Sequence, residues 1–183
     1  MSRFATNYEI ARATGVCAAT DRPIEVGEQY IAALVDTGGD TGLLRRDYSM
    51  SAWEGGARPN APEVLFGYWT ATRPDSNAPP KALIEPQEIA ELFAQLEGAE
   101  QERQIAFRFV LSLILMRKRV IKFVKRGEMD EGRQTMVVRW GLKSAGPSDE
   151  MMTVIDPGMD DQAVADAMEQ IGAVMMGPDG GGG

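Results

Sequence analysis

The chain has 183 residues, 44% apolar and 25% charged, which suits one globular domain or two closely packed halves and excludes a wholly disordered chain. Its formal net charge of -8 repels polyanions at long range, so nucleic acid is a disfavoured partner unless a local basic patch overrides that field. With no histidine and a single cysteine, Cys17, it lacks the parts of serine-hydrolase triads, cysteine-protease dyads, the familiar zinc hydrolase sites and any intramolecular disulfide.

The opening Met1-Ser2-Arg3-Phe4-Ala5-Thr6-Asn7-Tyr8 has no apolar core followed by a small-residue cleavage site. The longest apolar stretch, Phe109 to Met116, is broken by Ser112 and falls far below the roughly 20 residues that cross a bilayer. The expectation is a cytoplasmic protein with no membrane association.

The fold class expected is α+β: an antiparallel β-rich N-terminal half, two central helices, a three-stranded antiparallel meander and a C-terminal helix. Residues 1–72 form the β-rich half. Gln29 to Asp36 and Leu43 to Ser49 are β-branched or apolar runs on either side of the glycine-rich turn Thr37 to Gly42, and read as a hairpin. Val64 to Thr70, bulky with Phe66, Tyr68 and Trp69, predicts a third strand. Residues 73–82, beginning Arg73-Pro74-Asp75-Ser76-Asn77-Ala78-Pro79-Pro80, have linker composition.

Residues 83–175 form the second half. Pro86 sits where a first-turn proline belongs, Ile89, Leu92, Phe93 and Leu96 recur at helical spacing, and Gly98 ends the run. The next helix, Glu100 to Met116, carries only a narrow polar stripe of Gln101, Gln104, Arg108 and Ser112, so it is the central, mostly buried helix. Val120 to Lys125, Gln134 to Trp140 and Met151 to Ile155 read as the meander, and Met159 to Met175 as the last helix. Residues 176–183, ending in four glycines, read as a disordered tail.

Two features could carry function. Cys17-Ala18-Ala19-Thr20-Asp21-Arg22-Pro23-Ile24-Glu25-Val26-Gly27-Glu28 resembles the first knuckle of zinc-ribbon proteins, with Thr20 where the second thiolate would stand. No second cysteine pair or histidine exists, so four soft ligands cannot be assembled and no metal or other cofactor is expected. Cys17 is then a small buried side chain, or a reactive thiol with Arg22 as the nearby cation.

The second feature is basic: Arg117, Lys118, Arg119, Lys122, Lys125 and Arg126. They can contact an anion or nucleic acid, with Phe123 or Trp140 as a stacking surface. Against this, a strand starting at Val120 places Lys122 and Arg126 on one face and Lys125 on the other, and Glu128, Asp130 and Glu131 neutralise part of the patch. The acidic groups at Glu128 to Glu131 and at Asp156, Asp160 and Asp161 do not match calcium-loop spacing and read as turn and helix-start residues.

Together with Leu43 to Tyr48, Trp53-Glu54 and Phe107 to Lys118, the knuckle makes the chain resemble a family of small bacterial proteins with a degenerate zinc-ribbon-like N-terminus. That resemblance implies a shared fold and supplies no activity. The function expected is that of a non-enzymatic interaction or accessory protein whose partner is another protein. Nucleic-acid or ribosome association through residues 117–126 is the alternative, and a carboxylate, divalent-metal or thiol enzyme the least favoured reading.

Overall fold

The computed structural model describes residues 13–38, 43–75, 85–141 and 150–176. Its elements, in chain order, are β1 (Gln29–Asp36), β2 (Leu44–Ser49), α1 (Met50–Glu54), β3 (Val64–Thr72), α2 (Pro86–Gln95), α3 (Glu102–Arg117), β4 (Ile121–Arg126), β5 (Thr135–Trp140), β6 (Met151–Ile155) and α4 (Asp161–Met176). The fold is α+β, with two three-stranded antiparallel sheets. The described residues fall into two compact units, one within residues 89–168, the other within residues 13–88 and 169–176.

The sheet of the second of these units has the order β2-β1-β3. Its central strand has six consecutive buried residues, Tyr30 to Val35, because both faces are covered. One face holds Ile31, Ala33, Tyr48 and Trp53, with Leu65 and Tyr68 packed against them. Trp53 comes from α1, a single turn capped by Ser49, whose hydroxyl accepts from the Ala52 N–H at 3.3 Å. Its ring centroid lies 5.4 Å from that of Tyr48 and 4.9 Å from that of Tyr68, both tilted, and the Arg58 guanidinium sits 3.8 Å above it.

The other face carries Arg45, Asp47 and Ser49 of β2, set opposite Leu34, Ala32 and Tyr30 of β1. Arg45 and Asp47 form an ion pair at 2.8 Å with both side chains buried. Arg45 also donates to the Tyr30 hydroxyl at 2.8 Å and lies 5.2 Å from the Trp69 ring centroid.

In the other unit the sheet order is β4-β5-β6. Opposite residues share a face, so Ile121, Val138, Trp140, Met152 and Val154 line the side that is buried. Helix α3 packs against β4 and β6 and buries Ile105, Phe107, Val110, Leu111 and Leu115. From α2, Ile89, Leu92 and Phe93 are buried, and the Phe93 ring meets Trp140 edge-on at 6.2 Å.

The expected strands and long helices all form, within about two residues of their predicted bounds. Three points differ. Helix α1 was not expected. Half of the stripe that reads as polar on α3 is enclosed, since Arg108 and Ser112 are buried while Gln101 is exposed and Gln104 half-buried. A bulge in β4 reverses the predicted facing of the basic residues. Residues 39–42 of the hairpin turn, 76–82 of the linker and the tail from 177 lie outside the described residues.

Candidate functional site

Residues 15–24 fold into a hydrogen-bonded turn centred on Cys17. The Cys17 carbonyl accepts from the N–H groups of Thr20 and Asp21 at 3.3 and 2.8 Å, and the Cys17 N–H donates to the Arg22 carbonyl at 2.8 Å. Asp21 turns through the left-handed region (φ 54°), a conformation aspartate tolerates better than most residues. The turn is fastened to the sheet by Ala18 N–H donating to the Asp47 carbonyl at 2.8 Å, and by Arg73 Nη1 donating to the Gly15 and Ile24 carbonyls at 2.7 and 2.5 Å.

At its centre the Cys17 side chain is fully enclosed. Its Sγ accepts from the Ser49 N–H at 3.3 Å and lies 3.6 Å from Ser49 Oγ. Burial raises the thiol's pKa, but hydrogen bonds from the Thr20 hydroxyl, the Ser49 N–H and hydroxyl and the Ala19 N–H together outweigh it and lower the value from 9.0 to about 6. Thr20 therefore serves the sulfur as a donor where a zinc knuckle has its second thiolate. Arg22 is held by Glu28 at 2.5 and 3.1 Å. The lowered pKa favours the charged sulfur while the fold keeps it from solvent.

The basic segment is divided among three settings. Arg117 closes α3, Lys118 caps it through its N–H to the Ile114 carbonyl at 2.9 Å, and Arg119 takes the left-handed position after the helix (φ 61°). Cations suit that negative end of the helix dipole. In β4 the register shifts between Phe123 and Lys125. Lys122 pairs with Arg139 and Lys125 with Val137, two residues apart on β5, so Lys122, Lys125 and Arg139 share one face. Arg126 pairs with Met136, on the side of Phe123 and Val138. The predicted grouping of Lys122 with Arg126, apart from Lys125, is thus corrected by one inserted residue.

Neither aromatic candidate joins Lys122 and Lys125, although Phe123 shares its face with Arg126. Trp140 is buried and its Nε1–H donates to Glu150 Oε2 at 2.8 Å, while Phe123, 53% exposed, lies on the face opposite Lys122 and Lys125. Several of the acidic residues sit in turns or at a helix start: Asp130 and Arg133 exchange backbone hydrogen bonds at 2.8 and 3.0 Å, Asp156 accepts from Gly158 N–H at 2.8 Å, and Asp160 accepts from Ala163 N–H at 2.7 Å at the start of α4. Among the described residues, no group of three or more Cys, Asp or Glu is placed to hold a metal ion.

A site the sequence reading missed lies in the same unit as this sheet. Arg108 is 6% exposed, with its guanidinium 4.5 Å from the Phe93 ring centroid. Its Nε donates to the Phe93 carbonyl at 3.2 Å and its Nη1 to the Thr153 carbonyl at 2.6 Å, whereas the buried Nη2 has no hydrogen-bond partner. Burial lowers its pKa, with the charge of Glu97 opposing the shift. Arg108 lines a cleft of about 680 Å³ bounded by the turn after α2, the end of β4 and strands β5 and β6. Thr135 also lines the cleft, its hydroxyl donating to the Glu128 carbonyl at 2.5 Å. The signal was present in the sequence as one arginine inside an almost wholly apolar helix, but it reads equally as an outward stripe.

Comparisons with protein-family models, with curated proteins and with solved structures find no match to this chain.

Proposed function

We propose that this chain is a non-catalytic accessory protein that captures an extended, acidic segment of another protein along β4. The observation that carries the reading is the outer edge of β4: five consecutive exposed residues, Lys122 to Arg126, on a strand that no described residue pairs with on that side. An edge strand presents unpaired N–H and C=O groups, and a further strand can add to it. Lys122, Lys125 and Arg139 lie on one face of that edge and Phe123, with Arg126 beyond it, on the other, so a matching segment alternates acidic with apolar residues along Lys122 to Lys125 and ends on a further acid beside Arg126. A chain without histidine whose single thiol is enclosed favours recognition over catalysis.

The test is titration of the whole protein with a synthetic peptide alternating glutamate and valine, alongside a scrambled peptide of the same composition, followed by hydrogen exchange. The alternating peptide should slow exchange across Lys122 to Arg126, and the double variant K122E/K125E should lose the effect. Equal protection by both peptides, or no protection, refutes strand addition. The aligned cations also give nucleic acid a specific observation in its favour. Salt-sensitive retardation of single-stranded RNA, lost in the same variant, would move the reading there.

A further inference from the structure

We infer that Lys122 and Arg139 form a receiving site for the phosphate of a phosphorylated serine or threonine in the guest segment. The inference rests on the capture of a segment at β4 and goes beyond it by naming the group that the open face of the sheet selects. Lys122 stands directly opposite Arg139, and Arg139 opposite Met151. In the next row on the same face Lys125 stands opposite Val137, and Val137 opposite Thr153. Lys122 and Lys125 are exposed and Arg139 is half-buried, so these rows are open to a ligand.

Like charges set directly opposite destabilise a sheet, and Lys122 against Arg139 is such a pair. An anion held between them turns that repulsion into two attractions. Strands β4, β5 and β6 contain no acidic residue. Glu128 and Asp130 belong to the turn after β4, at the Arg126 end, whereas Lys122 and Arg139 lie at the other end of their strands. Glu150, just before β6, accepts from Trp140 Nε1 at 2.8 Å on the opposite, buried face. The face therefore keeps a surplus of positive charge.

That surplus favours a dianion. A phosphate monoester carries about -1.5 to -2 at neutral pH and offers three acceptor oxygens, enough to engage Lys122 and Arg139 together. A glutamate brings one charge and two oxygens, and leaves more of the surplus uncompensated. A guest residue paired with Lys122 lies beside its ammonium. Arg139 stands one strand spacing further in, about 4.8 Å, which its own extended side chain covers.

The experiment is calorimetric titration of the full chain with three alternating glutamate–valine peptides that carry phosphoserine, glutamate or serine at one central acidic position, paired with hydrogen exchange. The phosphoserine peptide should bind at least about tenfold more tightly than the glutamate peptide, the effect of one further charge-assisted hydrogen bond, and the serine peptide should bind most weakly. R139Q should remove the preference for phosphate. Because Arg139 is half-buried, K122Q serves as a second variant at an exposed position, and it should reduce the preference at an unchanged melting temperature. The inference is overturned by equal affinity for the phosphoserine and glutamate peptides, by a preference that survives in folded R139Q or in K122Q, or by single-stranded RNA binding more tightly than the phosphopeptide. Slowed exchange across Lys122 to Arg126 without a preference for phosphate removes this inference and leaves strand addition standing. A preference for phosphate without slowed exchange removes strand addition and keeps the phosphate site, and no binding by any peptide removes both.

Discussion

Arg45 Nε donates to Asp47 Oδ1 at 2.8 Å inside the β2-β1-β3 sheet, and the other oxygen of the same carboxylate accepts from the Thr14 N–H at 2.8 Å. One buried aspartate thus neutralises a buried arginine and ties the segment before the knuckle to β2. Replacing Asp47 by alanine strands the Arg45 charge and releases Thr14. The expected loss is about 3–5 kcal/mol, measured by urea unfolding. The double replacement R45M/D47L removes both charges and should recover much of that loss; equal stability of the single and double variants would refute the assignment.

Trp53 is the main cover of the opposite face of that sheet, packed between Tyr48 and Tyr68 beneath Arg58. Trp53→Ala should cost about 3–5 kcal/mol by exposing Ile31 and Ala33 and emptying the space between the rings. Arg58→Ala should cost far less, about 1 kcal/mol, through loss of the cation–π contact and of the bond from Nη1 to the Trp53 carbonyl at 2.8 Å.

The Cys17 thiol makes stability depend on pH. Its folded pKa of about 6 lies below the ordinary 9.0, so between those values the unfolded chain retains a proton that the folded chain has released. Stability therefore rises with pH across this window, and the contribution disappears as pH falls through 6. Unfolding midpoints measured from pH 5 to pH 9 should show the rise in the unaltered protein, and Cys17→Ala should flatten it. A thiol reagent should react slowly in native conditions despite the ionised sulfur, because Cys17 is enclosed.

Gly127, after β4, is required for close approach to β5. A Cβ there would lie 2.1 Å from the Thr135 hydroxyl oxygen, which itself bonds the Glu128 carbonyl. Gly127→Ala should destabilise by about 1–3 kcal/mol and loosen the β4–β5 connection, seen as faster amide exchange in both strands. Thr135→Ala relieves the clash but forfeits the hydrogen bond, so the double variant should lie between the single variant and the unaltered chain.

The sequence declares those features that depend on neighbours along the chain. Apolar, β-branched runs and aromatic bulk announce β1, β3 and β5, and the recurrence of Ile89, Leu92 and Phe93 announces α2. Helix α1, at five residues, is too short for a 3.6-residue period to register. Other features are decided by remote partners. Arg108 is buried because its acceptors lie on residues 15 and 45 positions away, and Arg45 and Asp47 are buried because both faces of their sheet are covered. The facing of Lys122 and Lys125 turns on a register against β5 that no local pattern encodes. The thiol's surroundings were half legible: Thr20 lies within the knuckle, while Ser49 arrives from the end of β2.

The row of cations on β4 also governs how copies of the chain treat one another. Two such edges meeting would bring lysines against lysines, and the extra residue of the bulge would spoil their alignment, so runaway polymerisation is disfavoured. Neutralising Lys122 and Lys125 without reversing them would remove that barrier and leave Phe123 and Val124 as adhesive surface. The charge that would select an acidic guest is, in crowded conditions, what keeps the protein dispersed.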